Sequence, residues 1–520
     1  MAKSDIVARD MAAQFKARAN VLWIVSREEA RVERYVYEAA VAVKYDTLFW
    51  DAGQGVTDVN GARQQIGSVD AGETLQAIIE RAKNGVRTVW VMRDLPGWLQ
   101  GPIGMTTLRL LRNFARSDVP LDNAQHVVIV SPSGDVPAEL TNHVTVIDWP
   151  LPDREEIAAV LDDLIDEYRL TDGMKNGKRD AAVDAAVGLS EEEAQACYSR
   201  SLVQFKTIDP VAVAKEKKRV IARERILEWY DPIPDGLAAV GGLENLKQWL
   251  IDRSVAYTPA ARAYGLPRPR GTFLIGISGC GKTLTCKALA TAWQCPLIRV
   301  DLGALKSEFV GKSEANLRKV FAIIEALGFC VVWFDEVEKS LQGATSGSAD
   351  GGVSADALGA VLTWMQERRG DAFVVMTAND ISQLPPEFMR KGRFDELWWI
   401  DLPNKTERRA VLKAALRENG RADVKIDLSL TDDSCVGFTG SEIAAIVPDA
   451  LYAAFKDGAR EVTTADLVAA ASTVVPLSKT ADKKIEEMRS KAAGRFRFAS
   501  AKETIEQPQR KAGRALDIAS

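Results

Sequence analysis

The sequence has little histidine and no paired-cysteine motif. Its 520 residues include two histidines, His126 and His143. Neither has a cysteine or a second histidine at metal-ligand spacing, which argues against a zinc site. The six cysteines are Cys197, Cys280, Cys286, Cys295, Cys330 and Cys435. They form no C-x-x-C pair and lie mostly in apolar surroundings, so they read as reduced thiols rather than a disulfide framework. Cys280 lies in a glycine-rich stretch, where a tolerated small side chain is a simpler reading than a redox switch. No apolar run approaches the roughly 18 residues that a membrane span needs. The first residues, Met1 to Asp5, lack the apolar core of a signal peptide. The expectation is a cytoplasmic protein with no membrane partner. The formal net charge of −5 gives no global bias toward nucleic acid. An apolar content of 47% with 27% charged residues is that of a globular chain, and the length predicts two to four domains.

What is present is a phosphate-binding pattern. Gly276-Ile277-Ser278-Gly279-Cys280-Gly281-Lys282-Thr283 fits G-x-x-x-x-G-K-[ST]. It follows a strand-like run, Thr272 to Ile275, and leads into helix-like sequence from Leu284 to Trp293. In that context the glycines let backbone N–H groups turn toward phosphate oxygens, and the helix N-terminus adds partial positive charge. Lys282 is expected to reach the β and γ phosphates of a nucleoside triphosphate, with Thr283 on Mg²⁺.

Alternating strand and helix patterns continue downstream. Pro296 to Asp301 reads as a strand and Ser313 to Leu327 as a helix. Cys330 to Phe334 is a continuous apolar run, as expected for a strand buried on both faces of a parallel sheet. It ends in Asp335-Glu336, at the edge where ligands bind in α/β sheets. Asp335 is expected to support the Mg²⁺ shell, and Glu336 to orient the water that attacks the γ-phosphate. A further strand, Ala372 to Thr377, ends near Asn379.

The segment Pro385 to Asp395, taken with Val240-Gly241-Gly242-Leu243, the phosphate loop and Phe334-Asp335-Glu336, resembles the AAA ATPases over roughly 236–475. The resemblance implies an ATP site with these roles. Asn379 matches the polar sensor of the lytic water. Arg390 and Arg393 match the arginine fingers that serve a neighbouring subunit, which implies a homo-oligomeric ring, with a hexamer expected. Val240 and Gly241 match the segment beside adenine. Gly437 to Glu442 matches the lid motif whose Gly440-Ser441 turn lies over the nucleotide. Phe309-Val310-Gly311 looks like a pore loop that grips an extended polypeptide; the alternative is packing of Phe309 within its own domain. The polar stretch Gly343 to Gly352 falls where a second pore loop would lie.

The first half echoes the second. Val136 to Leu140 resembles Leu384 to Phe388, Val146 to Pro150 resembles Trp399 to Pro403, and Gly188 to Ala194 resembles Gly437 to Ile443, in the same order. An internal duplication is the economical reading. The chemistry is missing from the first copy. Val25 is followed by Ser26-Arg27-Glu28-Glu29, Met92 by Arg93-Asp94, and no arginine fingers follow Leu140. An unrelated α/β domain is the alternative.

The expected architecture is therefore α/β and tandem. A degenerate P-loop-like α/β domain at 1–152 carries a helical lid at 153–207. A charge-rich helical linker at 208–235 leads to the ATPase α/β subdomain at 236–404 and its helical lid at 405–476. A basic tail at 477–520 contains Lys479, Lys483, Lys484, Arg489, Lys491, Arg495 and Arg497. Nucleic-acid contact is one reading of that tail; a helix docked on the ring and a disordered end are the others.

Nearly the whole chain resembles the AAA ATPases named for the hypothetical chloroplast reading frame 46. The likeness rests on Tyr264 to Gly271, Leu362 to Glu367, Phe388 to Glu396, Trp23 to Glu29 and Pro150 to Glu156. Cys280 departs from the small residue usual there. The leading expectation is an ATP-driven ring, using ATP and Mg²⁺, that remodels or threads a protein partner. A nucleic-acid motor or clamp and a nucleotide-gated scaffold are the competing readings.

Overall fold

The computed structural model describes residues 2–84, 86–117, 123–170, 177–222, 226–302, 313–341, 359–368, 370–380, 382 and 392–501. The chain divides into two compact units, 1–224 with 311–328, and 225–310 with 329–520.

The first unit is built on a six-stranded sheet. Its strands are β1 (Val21–Val25), β2 (Asp46–Asp51), β3 (Gly55–Thr57), β4 (Thr88–Met92), β5 (Gln125–Ser131) and β6 (Thr145–Asp148), in the order β3-β2-β4-β5-β1-β6. All pairings are parallel except β2 with β3. Successive side chains of a strand face opposite sides. Val21 and Trp23 therefore join Trp90, Met92, Leu75 and Phe114 on one face. Leu22 and Ile24 join Val89, Val91, Phe15 and Val36 on the other. Both faces are covered by helices, which is why the central strands read as unbroken apolar runs.

A helical lid follows, made of Arg154–Tyr168, Lys178–Ala186, Glu191–Phe205 and Pro210–Ile221. The expected linker at 208–235 is corrected here. Val213 is fully buried in the core of this bundle, so Pro210–Ile221 is a lid helix rather than a solvated connector. The helix Ser313–Leu327 also groups with the first unit. A side chain at Gly188 would come within 2.8 Å of Leu327 Cδ2.

The second unit holds a seven-stranded sheet of β7 (Leu227–Tyr230), β8 (Gly271–Gly276), β9 (Leu297–Val300), β10 (Val331–Phe334), β11 (Phe373–Ala378), β12 (Glu396–Ile400) and β13 (Arg497–Phe498). The order is β13-β12-β8-β11-β10-β9-β7. Its five central strands, taken in chain order, are arranged as in the first sheet: β9-β10-β11-β8-β12 repeats β2-β4-β5-β1-β6. Each sheet also adds one antiparallel strand, β3 beside β2 and β7 beside β9. The tandem α/β architecture is thus a repeat of topology, not only of composition. Strand β7 is a second correction to the linker, because Trp229 and Tyr230 are extended. Tyr230 packs edge-on against Trp333, with ring centroids 5.5 Å apart, which favours the strand.

The second lid comprises Lys405–Glu418, Leu430–Ser434, Gly440–Lys456 and Thr464–Thr473 around Leu412, Ile443, Ile446 and Leu467. The first part of the segment expected as a basic tail is folded. It forms the helices Leu477–Thr480 and Asp482–Ala492 and then β13, which pairs in parallel with β12. Ile485, Met488 and Phe496 are buried, which supplies the apolar face that a free tail lacks.

Among the described residues no helix is long and apolar enough to cross a membrane. Phe309, Val310, Gly311, Arg390 and the stretch 343–352 lie outside the described residues.

Candidate functional site

The phosphate-loop motif sits where its chemistry needs it, between β8 and the helix Lys282–Ala292. All six residues of β8 are buried, so the loop leaves a rigid platform. The Ile277 amide donates to Ile400 O at 3.0 Å, which ties the loop's start to β12. Gly279 has φ +77°, and a Cβ there would lie 2.3 Å from Ser441 Oγ. Glycine is what lets the lid come this close. Ser441 N donates to Gly279 O at 2.8 Å. The loop and the first turn of the lid helix Gly440–Lys456 are thereby joined.

Lys282 is buried, and its Nζ donates to Gly276 O at 2.9 Å and Ile277 O at 2.7 Å. Burial pulls its pKa down to about 8, opposed by the carboxylates of Glu338, Glu336 and Asp335. A cation held this way gains most from a ligand of negative charge. Cys280 is buried in the same loop. Burial pushes its thiol up to about 12, which keeps it protonated and inert and supports the packing reading over the redox one.

Strands β10 and β11 supply the acidic edge. Thr377 donates to Asp335 Oδ1 at 2.6 Å, and its hydroxyl accepts the Glu336 amide at 3.0 Å. Glu336 has φ +47°, an uncommon conformation for a residue with a side chain. Its Oε1 accepts from Asn379 Nδ2 at 2.7 Å, and Lys339 pairs with its Oε2. The Asn379 amide donates to Glu338 Oε1 at 2.9 Å. Glu338 is buried, and desolvation raises its pKa. Sequence reasoning missed Thr377 and Glu338. The available signal was position: each stands two residues from an expected site residue, at the same sheet edge.

Cys280, Lys282, Asp335, Glu336, Thr377 and Asn379 line one cavity of about 400 Å³. Its wall includes Val240, Gly241, Ser278 to Leu284, Asp335, Glu336, Asn379, Gly440 and Ser441. Gly276 and Ile277 are not on the wall; they anchor the loop beneath it. Val240–Gly241 is pressed onto the lid, since a Cβ at Gly241 would lie 2.5 Å from Val411 Cα. Glu407 holds the same segment. Its Oε1 accepts the Leu243 amide at 2.8 Å while its Oε2 accepts from Asn404 N at 3.0 Å. Glu407 and Asp401, both on the wall, were also not anticipated. Arg393 is half-buried and does not line this cavity.

The donor set fits Mg²⁺. No group of three or more His, Cys, Asp or Glu that could hold a metal is present among the described residues. Mg²⁺ in phosphate sites uses one or two carboxylates, keeps several waters and takes the rest from substrate phosphates. Asp335, with Thr283 on the same wall, suits that pattern.

The corresponding edge of the first sheet is filled by protein charge. Glu28, just after β1, accepts the Glu191 amide at 2.6 Å, where Glu191 opens a lid helix. Arg31 is buried and bonds Glu28 Oε2 at 2.6 Å and Glu156 Oε1 at 2.9 Å. Arg93, after β4, bonds Glu33 at 2.5 Å and Asp51 at 3.0 Å. A side-chain carboxylate thus meets the lid helix's N-terminal amide where the second unit has a loop carbonyl.

Comparisons with known proteins agree with this geometry. The family model for the ATPase family associated with various cellular activities (AAA) matches residues 272–402. The SpoVK-like AAA ATPase N-terminal domain matches 7–149, and its second domain matches 155–224. The AAA domain-containing protein ycf46 of Guillardia theta is 32% identical over 500 residues, covering 95% of this chain and 96% of the relative. That of Trieres chinensis is 33% identical over 493 residues, covering 94% and 97%. That of Pyropia yezoensis is 32% identical over 508 residues, covering 95% and 99%. With two topologically matched sheets and similarity along nearly its whole length, the chain belongs to the ycf46 family of AAA domain-containing proteins, within the AAA ATPases.

Proposed function

We propose that this chain is an ATPase that assembles into a homo-oligomeric ring, a hexamer, and remodels or threads a protein partner. The observation that carries the ATPase reading is the contact of Asn379 Nδ2 with Glu336 Oε1 at 2.7 Å, on the wall of a cavity that also holds Lys282. It fixes the carboxylate that would orient the lytic water.

The residues divide the work. Lys282 exchanges its loop carbonyls for β- and γ-phosphate oxygens. The loop amides from Ser278 to Thr283 and the helix N-terminus bind the phosphates. Thr283 and Asp335 would hold Mg²⁺, which when bound neutralises charge on the phosphates. Glu336 accepts a hydrogen bond from the attacking water, and Asn379 keeps its carboxylate turned inward. Val240 and Gly241 pack beside the base, and Gly440-Ser441 closes over the loop. Arg390 and Arg393 serve the neighbouring subunit's site; that Arg393 is off its own cavity wall supports this assignment. Phe309-Val310-Gly311 would grip the polypeptide in the pore. The first unit acts in assembly or recruitment, and its internally paired charges support a non-catalytic role.

The nucleic-acid reading loses part of its support from the tail itself, where three of the seven basic residues named above pair within the chain. Lys484 pairs with Asp380 at 3.1 Å, Arg489 with Asp401 at 2.8 Å and Arg497 with Glu396 at 3.5 Å. Charges spent within the chain contribute little to binding phosphate backbones.

The test is Glu336→Gln. ATP binding should persist while phosphate release falls by about 10²–10⁴-fold. Normal turnover by that variant would overturn the ATPase assignment. For the threading arm, Phe309→Ala should spare basal hydrolysis and lose substrate-coupled unfolding; full coupled activity would sink it.

A further inference from the structure

We infer that the C-terminal segment is a charge-compensating brace for the nucleotide site, acting through Arg489 on Asp401. The inference rests on the cavity described above being that site.

Asp401 follows β12 and stands on the cavity wall. A carboxylate there repels a ligand carrying several negative charges. Three groups hold it in place. Leu402 N donates to Oδ1 at 2.7 Å and Trp399 Nε1 to Oδ2 at 3.2 Å. Arg489, from the helix Asp482–Ala492, supplies the cation: its Nη2 meets Oδ1 at 2.8 Å, and its Nε meets Oδ2 at 2.9 Å and Oδ1 at 3.1 Å. A two-nitrogen pairing of this kind fixes orientation as well as charge. Without Arg489, the two neutral donors still hold the carboxylate beside the cavity, now with its charge uncompensated.

The brace reaches the site at further points. Lys484, on the same helix, pairs with Asp380 at 3.1 Å, next in sequence to the sensor-like Asn379. Leu477 N donates to Glu442 Oε1 at 2.8 Å; Glu442 also caps the lid helix that meets the phosphate loop. Strand β13 pairs with β12, the strand that Asp401 follows. Ala499 O accepts the amides of Asn245 at 3.0 Å and Leu246 at 3.2 Å, satisfying first-turn donors of the helix Glu244–Ser254. One segment therefore ties together the sheet edge, the lid and the helix that follows Val240–Gly241. Arg489 and Lys484 are positioning residues: neither is on the cavity wall.

The experiment is a charge cycle in the full chain, read as the dissociation constants of fluorescent ATP and ADP analogues at low and high salt, with thermal unfolding alongside. Arg489→Gln should weaken ATP binding about tenfold, ADP binding less, and the penalty should shrink as salt rises. Asp401→Asn should not weaken binding. The double variant Asp401→Asn/Arg489→Gln should return close to the parent affinity, because the uncompensated charge on the cavity wall is gone; Glu486, the other partner of Arg489 at 2.7 Å, is exposed and off that wall. A double variant as weak as Arg489→Gln alone would show that the arginine acts by packing and would overturn the inference. So would an Arg489→Gln protein with parental affinity. If the parent chain binds neither analogue, the reading of the cavity falls and takes the inference with it.

Discussion

The hydroxyl of Thr377 donates to Asp335 Oδ1 at 2.6 Å. The same oxygen accepts the amide of Glu336, whose backbone is left-handed, so one buried hydroxyl positions both carboxylates that end β10. Thr377→Val keeps the volume and removes both bonds. Each such bond contributes about 0.5–1.5 kcal/mol, more when one partner is charged. Turnover should fall roughly tenfold or more, with ATP affinity changed far less, and Thr377→Ser should recover most of the loss. Steady-state phosphate release with a parallel binding titration checks this.

Gly279→Ala should separate the lid from the loop. The new Cβ would meet Ser441 Oγ at 2.3 Å, in a backbone conformation that side chains resist. Overpacking of this kind costs about 1–3 kcal/mol. Nucleotide affinity should fall by about ten- to a hundred-fold while the far-ultraviolet spectrum is unchanged. Adding Ser441→Gly should recover part of the affinity. Recovery stays partial because the strain at φ +77° remains.

The pH dependence of binding should follow Lys282. Its pKa of about 8 in the free site lies below the ordinary lysine value because of burial. Bound phosphates favour the ammonium and raise that value, so binding takes up a proton as pH passes above about 8. Affinity for ATP should be flat below this pH and decline above it. Calorimetry in buffers of different ionisation enthalpy should show the uptake. For folding the sign is opposite. The unfolded chain holds this proton up to the ordinary lysine value. The penalty of burying the charge is therefore full below about 8 and is relieved as pH rises toward the ordinary value.

The first unit should behave as a riveted module. Removing one partner of a buried pair costs about 3–5 kcal/mol, whereas replacing the whole group by apolar residues is often neutral. Arg31→Met should therefore lower the unfolding free energy of this unit by that order. Combining it with Glu28→Leu and Glu156→Leu should recover only part of the loss in denaturant titrations, because the Glu191 amide, the Tyr35 hydroxyl and the Asp153 amide then lose their acceptors. Calorimetric titration should give one nucleotide per chain in the parent and none with Lys282→Ala.

The sequence by itself determined the elements whose signal is local. The apolar runs Val21–Val25, Thr88–Met92 and Val331–Phe334 are strands because both faces of each are buried, and such strands need no alternation. The phosphate loop was legible because its glycines and Lys282 act through backbone geometry within eight residues. The duplication was legible as ordered echoes; the shared strand order makes it a fact of topology. Tertiary structure decided what depends on partners distant in sequence. Leu227–Tyr230 is a strand because β9 offers an edge and Trp333 a ring to pack against. Thr377, Glu338, Glu407 and Asp401 carry no motif; they matter because folding sets them against Asp335, Asn379, Leu243 and the cavity wall. The basic C-terminal residues read as a tail because charge is visible in a sequence and compensation is not. Asp401 lies 88 residues before Arg489, and only the closed fold brings the two charges together.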